Sequence, residues 1–188
     1  MYKIKINKQN IIGDKMKKLL IVICLFLLCG CENSTPTKVV EDYFNKYQTN
    51  PSDYINTTLI DISKYSDSQK KEYEDIIKNH FQNLEYVVKD EVINANKATV
   101  KTEINVYDYS RIINNALSYK SEHVDEFMDN DYYNESKFID YKLSKLKGDL
   151  EKIKYTLELT LTKIDGKWYM DELSKDYKEK IYGIYNYQ

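Results

Sequence analysis

Two histidines are the side chains best suited to acid–base chemistry, because an imidazole titrates close to neutral pH. His80 falls on the apolar face of an expected helix, so a packed histidine is favoured there over a catalytic one. His123 lies among charged residues, which indicates a solvated helix face. We expect no catalytic residue. A pocket enzyme that uses His80 or a buried carboxylate remains the alternative.

The acidic residues and the cysteines do not form a metal-binding pattern. Asp125, Glu126, Asp129 and Asp131 lack the turn glycine and the ligand alternation of a calcium loop. No HExxH helix and no paired Cys/His spacing is present. We therefore expect no metal and no cofactor. The three cysteines lie in one N-terminal stretch and leave the rest of the chain without a disulfide: Cys24, Cys29 and Cys31.

Tyrosine is the most informative residue type, with 19 copies in the chain. Some tyrosines fall on apolar stripes and are expected in the core. A tyrosine where a strand ends or a helix turns is suited to contact a peptide or a sugar, because it buries a large area at low entropic cost. An AT-rich coding sequence would also raise the tyrosine content without any functional reason. The candidates for ligand contact are Tyr107, Tyr109, Tyr133 and Tyr169.

Hydrophobic periodicity predicts the elements that position these side chains. Apolar residues at steps of three and four predict helices over residues 36–48, 66–83, 110–128, 135–150 and from about 174. Alternation with period two predicts strands over residues 84–94, 98–109, 153–162 and 167–171. Turn residues between the first two strands, and Asp165-Gly166 between the last two, predict two antiparallel hairpins.

These elements predict the fold class. We expect an α+β fold in which N-terminal helices pack on a four-stranded antiparallel sheet. Two helices form an insertion between strands 2 and 3, and a further helix ends the chain. The insertion is the most distinctive part of the sequence.

The stretch from Met16 to Cys31 contains two lysines, a ten-residue apolar run and small residues before a cysteine. This order is typical of a secretory leader, and ten residues are fewer than the roughly 20 that span a bilayer. The stretch resembles the bacterial lipobox. The resemblance implies that signal peptidase recognises Leu28, Cys29 and Gly30, and that Cys31 is lipidated. Met16 is an alternative start of translation.

The leader determines the expected organisation and location. We expect a signal peptide over residues 1–30, a lipidated cysteine and tether over 31–36, and a single domain over 37–188. A diacylglyceryl group on Cys31 would anchor the protein to the outer face of the bacterial cytoplasmic membrane. Cleavage leaves 22 basic and 29 acidic residues, a net charge of −7. An acidic domain has no electrostatic reason to hold a phosphate backbone, so we expect no nucleic-acid partner.

The last hairpin contains the segment DGKWYMD at residues 165–171, after a long alternating strand and an amphipathic opening helix. Together these features resemble the nuclear transport factor 2-like (cystatin-like) domains of small Gram-positive-type surface lipoproteins, over roughly residues 35–185. The resemblance implies a curved sheet with a pocket, and a homodimer formed through the open sheet face. Relatives of this fold catalyse reactions, bind ligands or only associate, so the fold alone does not decide the function.

Three functions follow as hypotheses. The favoured one is a non-enzymatic module that binds a surface protein, a peptide or a glycan. The alternatives are a small pocket enzyme and a structural surface protein. A deep pocket lined by converging, burial-perturbed polar groups would favour the enzyme, whereas a shallow aromatic surface would favour the binding module.

Overall fold

The computed structural model describes residues 34–55, 61–148 and 150–186. Leu28, Cys29, Gly30 and Cys31, and with them the predicted leader and lipidation site, lie outside the described residues. The described residues contain six α-helices and a four-stranded antiparallel sheet, which confirms the predicted α+β class.

Short segments without helical structure precede the first helix and separate it from the second. Helix α1 (Pro36–Thr49) begins at Thr35, whose side chain accepts a hydrogen bond from the backbone N–H of Lys38. Helix α2 (Ser52–Ile55) is a single turn after the break at residues 50–51. The face of α1 that packs against the rest of the fold is apolar and buries Val40, Phe44 and Tyr47.

Helix α3 (Asp67–Gln82) begins with the predicted capping box. The Ser66 side chain accepts from the backbone N–H of Gln69, and the Gln69 side chain accepts from the backbone N–H of Ser66. Gln69 is almost fully buried, and its amide nitrogen also donates to the Asp140 carboxylate at 2.6 Å. This bond ties the start of α3 to a later helix.

The main sheet consists of β1 (Glu85–Asn94), β2 (Lys97–Tyr107), β5 (Lys152–Ile164) and β6 (Lys167–Met170). The strands lie in that order, and every neighbouring pair is antiparallel. On β2, the even-numbered residues from Ala98 to Val106 are buried and their odd-numbered neighbours face solvent. The pairing of β1 with β2 contains a bulge between Val88 and Asp90.

The chain between β2 and β5 forms what we call the insertion, residues 109–146. Helix α4 (Tyr109–Glu122) is followed by a 3-10 turn, Val124–Phe127. A two-residue hairpin of β3 (Met128–Asp129) and β4 (Tyr132–Tyr133) leads into helix α5 (Glu135–Leu146).

Three predicted boundaries in this region are wrong by a few residues. The helix predicted over residues 110–128 corresponds to α4, which ends at Glu122. The alternating pattern extends the second strand to Tyr109, but β2 ends at Tyr107. The Asp108 carboxylate caps α4 by accepting from the backbone N–H of Arg111 at 3.1 Å, so Tyr109 is already helical. Helix α5 ends at Leu146 rather than near residue 150, two residues before Gly148.

A side chain of the C-terminal helix α6 (Lys175–Ile181) contacts the part of β5 with which β6 does not pair. Strand β6 pairs only with the last four residues of β5. Farther along β5, the backbone N–H of Glu158 donates to the Tyr177 hydroxyl of α6 at 3.2 Å. A side chain of the helix therefore satisfies a donor on an open strand edge.

Across the described ranges, the buried side chains form two clusters. The larger one lies between the helices and the inner face of the sheet, and it includes Phe44, Tyr73, Leu157 and Trp168. The smaller cluster lies within the insertion and consists of Ala116, Phe127 and Phe138. The outer sheet face is solvated. Within the described part of the chain, no helix has the length and apolar character needed to cross a membrane.

Candidate functional site

His80 is a core residue. Its side chain is fully buried, and Nε2 lies 2.8 Å from the carbonyl oxygen of Ile181. A carbonyl only accepts hydrogen bonds, so Nε2 carries the proton and donates it. Burial lowers the pKa of His80 to about 4, which keeps the ring neutral at physiological pH. Its other nitrogen, Nδ1, has no hydrogen-bond partner among the described residues.

Of the tyrosines predicted to contact a ligand, Tyr109 lies in the core. It is 1% exposed, and its hydroxyl donates to the carbonyl oxygen of Ile76 at 3.3 Å. Burial raises the pKa of the Tyr109 phenol. Tyr109 therefore offers no surface to a ligand. Its position at the start of α4, rather than at a strand end, explains why the sequence placed it wrongly.

The other three predicted tyrosines lie far apart. Tyr107 ends β2, half-buried, with the ammonium of Lys152 at 5.6 Å from its ring centre. Tyr169 is exposed on β6, in register with the opposite end of β2. Ten residues of strand separate those ends, about 33 Å at 3.3 Å per residue. Tyr133 is exposed on β4, in the insertion. The predicted set does not form one site.

Two of the four acidic residues considered as metal ligands, Asp129 and Glu126, are engaged with local partners. The Asp129 carboxylate accepts from Lys137 and Asn134, which lowers its pKa. The Glu126 carboxylate accepts from the Tyr119 hydroxyl at 2.9 Å. No group of three or more potential metal ligands occurs among the described residues.

An open groove of about 560 Å³ lies between α4 and α5, and we call it the α4–α5 groove. Its α4 side consists of residues at steps of four, and its α5 side of residues at steps of three and four, so each set lies on one helix face. Ile112 and Ala116 are its buried residues. The polar and aromatic residues are Arg111, Asn115 and Tyr119 of α4 and Tyr141, Ser144 and Lys145 of α5.

A stacked column of side chains runs along the groove. The His123 ring stacks on Tyr119 with 4.2 Å between ring centres, and Tyr119 stacks on Tyr141 with 4.9 Å. The Lys145 ammonium lies 5.0 Å from the centre of the Tyr141 ring. The ring faces of both tyrosines are therefore used within the protein, and their edges are what the groove can present.

The remaining side chains supply hydrogen-bonding groups. The Arg111 guanidinium forms an ion pair with Glu151 at 3.0 Å and lies 3.8 Å from the Asp108 carboxylate. Asn115 and Ser144 are both exposed. Lys145 makes no ion pair with a described residue. The groove thus offers amide, hydroxyl, guanidinium and ammonium groups above a small apolar floor.

Sequence reasoning missed this groove. The exposed polar stripe of α4 is what a solvated helix face also looks like, and the stacking of Tyr119 on Tyr141 depends on how α4 packs against α5. The one signal in the sequence was the placement of the only arginine, Arg111, four residues before Asn115 and eight before Tyr119.

Comparisons with known proteins assign this chain to no family. No protein-family model matches the chain, and no curated protein matches it. Among solved structures, the chain is similar to one described as a "putative lipoprotein (ycdA)" from Bacillus subtilis subsp. subtilis str. 168. The two are 16% identical with a TM-score of 0.42, and the match covers 79% of this chain. It covers 46% of that protein, so this chain spans about half its length. A likeness at this TM-score carries no argument for a shared activity.

Proposed function

We propose that this chain is a lipid-anchored protein of the outer face of the bacterial cytoplasmic membrane, where it binds a peptide segment of another surface protein. The α4–α5 groove is the observation on which this proposal rests. Its volume of about 560 Å³ falls within the usual range of roughly 300–1,000 Å³ for ligand sites. The anchoring part of the proposal rests on the lipobox-like residues that end at Cys31.

The chemistry of the groove favours a peptide over a glycan. Sugar rings stack on free aromatic faces, but the faces of Tyr119 and Tyr141 are packed against each other, against His123 and against Lys145. A peptide main chain instead needs both donors and acceptors along a shallow channel. The Asn115 amide provides both on the α4 side, and the Ser144 hydroxyl, which donates to the Tyr141 carbonyl oxygen at 2.6 Å, adds an acceptor on the α5 side.

The favoured role is binding without catalysis. His80, the best acid–base candidate in the sequence, is buried and does not line the groove. The groove is open to solvent and holds no described carboxylic acid whose pKa burial has raised. A small pocket enzyme and a structural surface protein are the two alternative functions.

The finer structural expectations also belong to this proposal. The nuclear transport factor 2-like identity and the curvature of the sheet stay predictions. Pairing of two copies through the outer sheet face is supported by exposed Val87, Val92 and Tyr169 on that face, although charged side chains separate them.

Selection of peptides against the groove tests the proposed function. The full-length protein in non-ionic detergent micelles is used to select binders from a random peptide library, and their affinities are then measured by fluorescence anisotropy. We expect Asn115→Trp, which fills the groove, to weaken the selected peptides at least tenfold. Gln82→Trp places the same ring on an exposed amide position of α3, outside the groove, and should leave affinity within about twofold.

Two results would contradict the peptide assignment. The first is that no peptide is enriched, or that enriched peptides bind the Asn115→Trp protein as tightly as the wild type. The second is that oligosaccharides, and not peptides, bind in a way that Asn115→Trp abolishes.

A further inference from the structure

A second concavity of about 230 Å³ lies on the opposite side of α4 from the α4–α5 groove. On α4 it uses residues 113, 117 and 120, whereas the groove uses 111, 115 and 119. At 100° per residue these two sets lie on different faces of the helix. We call this concavity the lysine pocket. The residues that matter here are Lys64, Lys120, Lys142, Ile113, Leu117 and Phe138.

Two of the three lysines lack a carboxylate partner. Lys64 forms an ion pair with Glu135 at 3.0 Å. The Lys120 ammonium lies 4.7 Å from the centre of the Phe138 ring, and the Lys142 ammonium lies 5.8 Å from the same centre. Neither Lys120 nor Lys142 makes an ion pair with a residue in the described ranges. Both ammonium groups therefore converge on one aromatic ring, and Glu135, the acidic residue whose charge acts on Lys142, is already paired with Lys64.

The burial of Lys142 makes the pairing of these two lysines with one ring energetically unfavourable when no anion is bound. Its side chain is half-buried, and burial lowers its pKa. A partly desolvated cation next to a second cation is stabilised when a carboxylate or another anion enters between them. The ring contacts compensate only in part, because a cation–π contact is worth about 0.5–2 kcal/mol.

The charge and shape of the pocket define the chemistry of the anion. Its ionisable residues are Lys64, Lys120, Lys142, Asp61 and Glu135, three cations and two anions. The Asp61 carboxylate accepts from the backbone N–H of Ser63 at 2.8 Å and remains charged. One positive charge is left over, which matches a monoanion better than a phosphate dianion.

Apolar residues line the rest of the lysine pocket. Ile113, Ile139 and Phe138 are buried, and Leu117 is half-buried. Its volume lies below the usual range for drug-sized ligands, so only a small molecule or a single side chain fits. We propose that the lysine pocket binds a small carboxylate with a short branched apolar body, its carboxylate between Lys120 and Lys142. This site lies outside the α4–α5 groove and goes beyond the function proposed above.

Titration of the full-length protein in non-ionic detergent micelles with isovalerate tests the proposal, with binding followed by isothermal titration calorimetry. We expect Lys142→Met and Lys120→Met each to weaken isovalerate at least fivefold, since methionine keeps the apolar stem and removes the charge. Lys145→Met changes a lysine of the same helix that lines the groove, and it should leave isovalerate affinity unchanged. Isovaleramide, which has the same body without the charge, should not bind.

Further probes separate the sources of the carboxylate. If N-acetylglutamate amide binds more tightly than isovalerate with the same dependence on Lys120 and Lys142, the site is confirmed and its ligand is a protein side chain. Tighter binding of isovalerate also supports the proposal and indicates a free organic acid. Tighter binding of inorganic phosphate than of either carboxylate overturns it, as do equal binding of isovaleramide and unchanged affinity in the Lys142→Met protein.

Stability gives an independent readout without ligand. An ammonium that lacks a counter-ion does not stabilise the fold, so Lys142→Met should have a thermal midpoint equal to or above that of the wild type. A midpoint clearly below that of the wild type would mean that Lys142 is already compensated, and it would overturn the proposal.

Discussion

The environment of His80 shows how burial decides the chemistry of a single residue. The ring centres of Phe81 and Tyr109 lie 5.3 and 4.9 Å from that of the imidazole. The carbonyl oxygen of Ile181 accepts a hydrogen bond from the one N–H of the neutral ring. Burial disfavours the charged ring and outweighs the hydrogen bond to the Ile181 carbonyl, which alone would raise the pKa of His80. The same residue on an exposed helix face would have been a plausible acid–base group. Here it is part of the packing between α3 and the end of α6.

His80 predicts a specific pH dependence of stability. Its pKa is lowered from 6.5 to about 4 in the folded state, so between these values the unfolded state binds more protons. The contribution of neutral His80 to the free energy of unfolding is fully present above pH 6.5 and is lost as the pH falls towards 4. We expect the difference in unfolding free energy between wild type and His80→Leu to change by about 2–3 kcal/mol between pH 7.5 and pH 4.5.

Urea denaturation of both proteins at the two pH values measures this change. Carboxylates also titrate in this range, but they are common to both proteins, so their contributions cancel in the difference. The wild type should lose more stability than the variant on acidification. A difference that stays constant between the two pH values would contradict the neutral, buried state of His80.

At the scale of elements, local rules predicted most of what the structure shows. The capping box at Ser66 and Gln69, the alternation of β2 and the turn at Asp165-Gly166 each depend on neighbours in sequence, and each is observed. Errors arose where a single capping side chain shifts a boundary, as Asp108 does before α4. Such a shift moved Tyr109 from an expected ligand contact into the core.

The sequence did not predict either of the two concavities along α4, and the reason is a different one. The periodicity of α4 shows which of its residues share a face, but not which face of α5 packs against it. The stack of Tyr119 on Tyr141, and the approach of Lys120 and Lys142 to Phe138, are contacts between helices. They depend on long-range packing, which hydrophobic pattern alone does not specify.

Substitution by alanine should cost different amounts of stability at two turn glycines, Gly166 and Gly183. Both have positive φ, 69° at Gly183 and 80° at Gly166. A Cβ at Gly183 would lie 2.0 Å from the carbonyl oxygen of Tyr107, whereas a Cβ at Gly166 would meet nothing within 4 Å. We expect Gly166→Ala to cost about 1 kcal/mol from backbone strain alone. Gly183→Ala should cost about 3 kcal/mol or more, because the clash adds to the strain.

Unfolding free energies from urea titrations of the two variants test this comparison. Gly166→Ala is the matched control, since it changes the same atoms at a similar φ without a neighbour. Equal losses in the two variants would mean that the turn after α6 does not press against the end of β2. In the structure this turn is also held by the Ser110 backbone N–H, which donates to the Gly183 carbonyl oxygen at 2.8 Å.

At the scale of the whole molecule, the described residues belong to one compact unit. Helices cover the inner face of the sheet, and its outer face is solvated. Both concavities that we assign to ligands lie along α4, away from the main sheet, and residues 61–65 complete the lysine pocket. We therefore propose that the sheet and its covering helices act as a scaffold, while the insertion provides the binding surfaces of a surface-anchored protein.

The location of the protein is the claim on which this account depends most, and lipid labelling in growing cells tests it directly. Cells that express the wild type, Cys31→Ala or Cys29→Ala are grown with an alkyne fatty acid, and label on the purified protein is measured. Cys29→Ala is the matched control, because alanine is also a small residue at that lipobox position. We predict label on the wild type and on Cys29→Ala, and none on Cys31→Ala. Label that persists in Cys31→Ala would contradict the account.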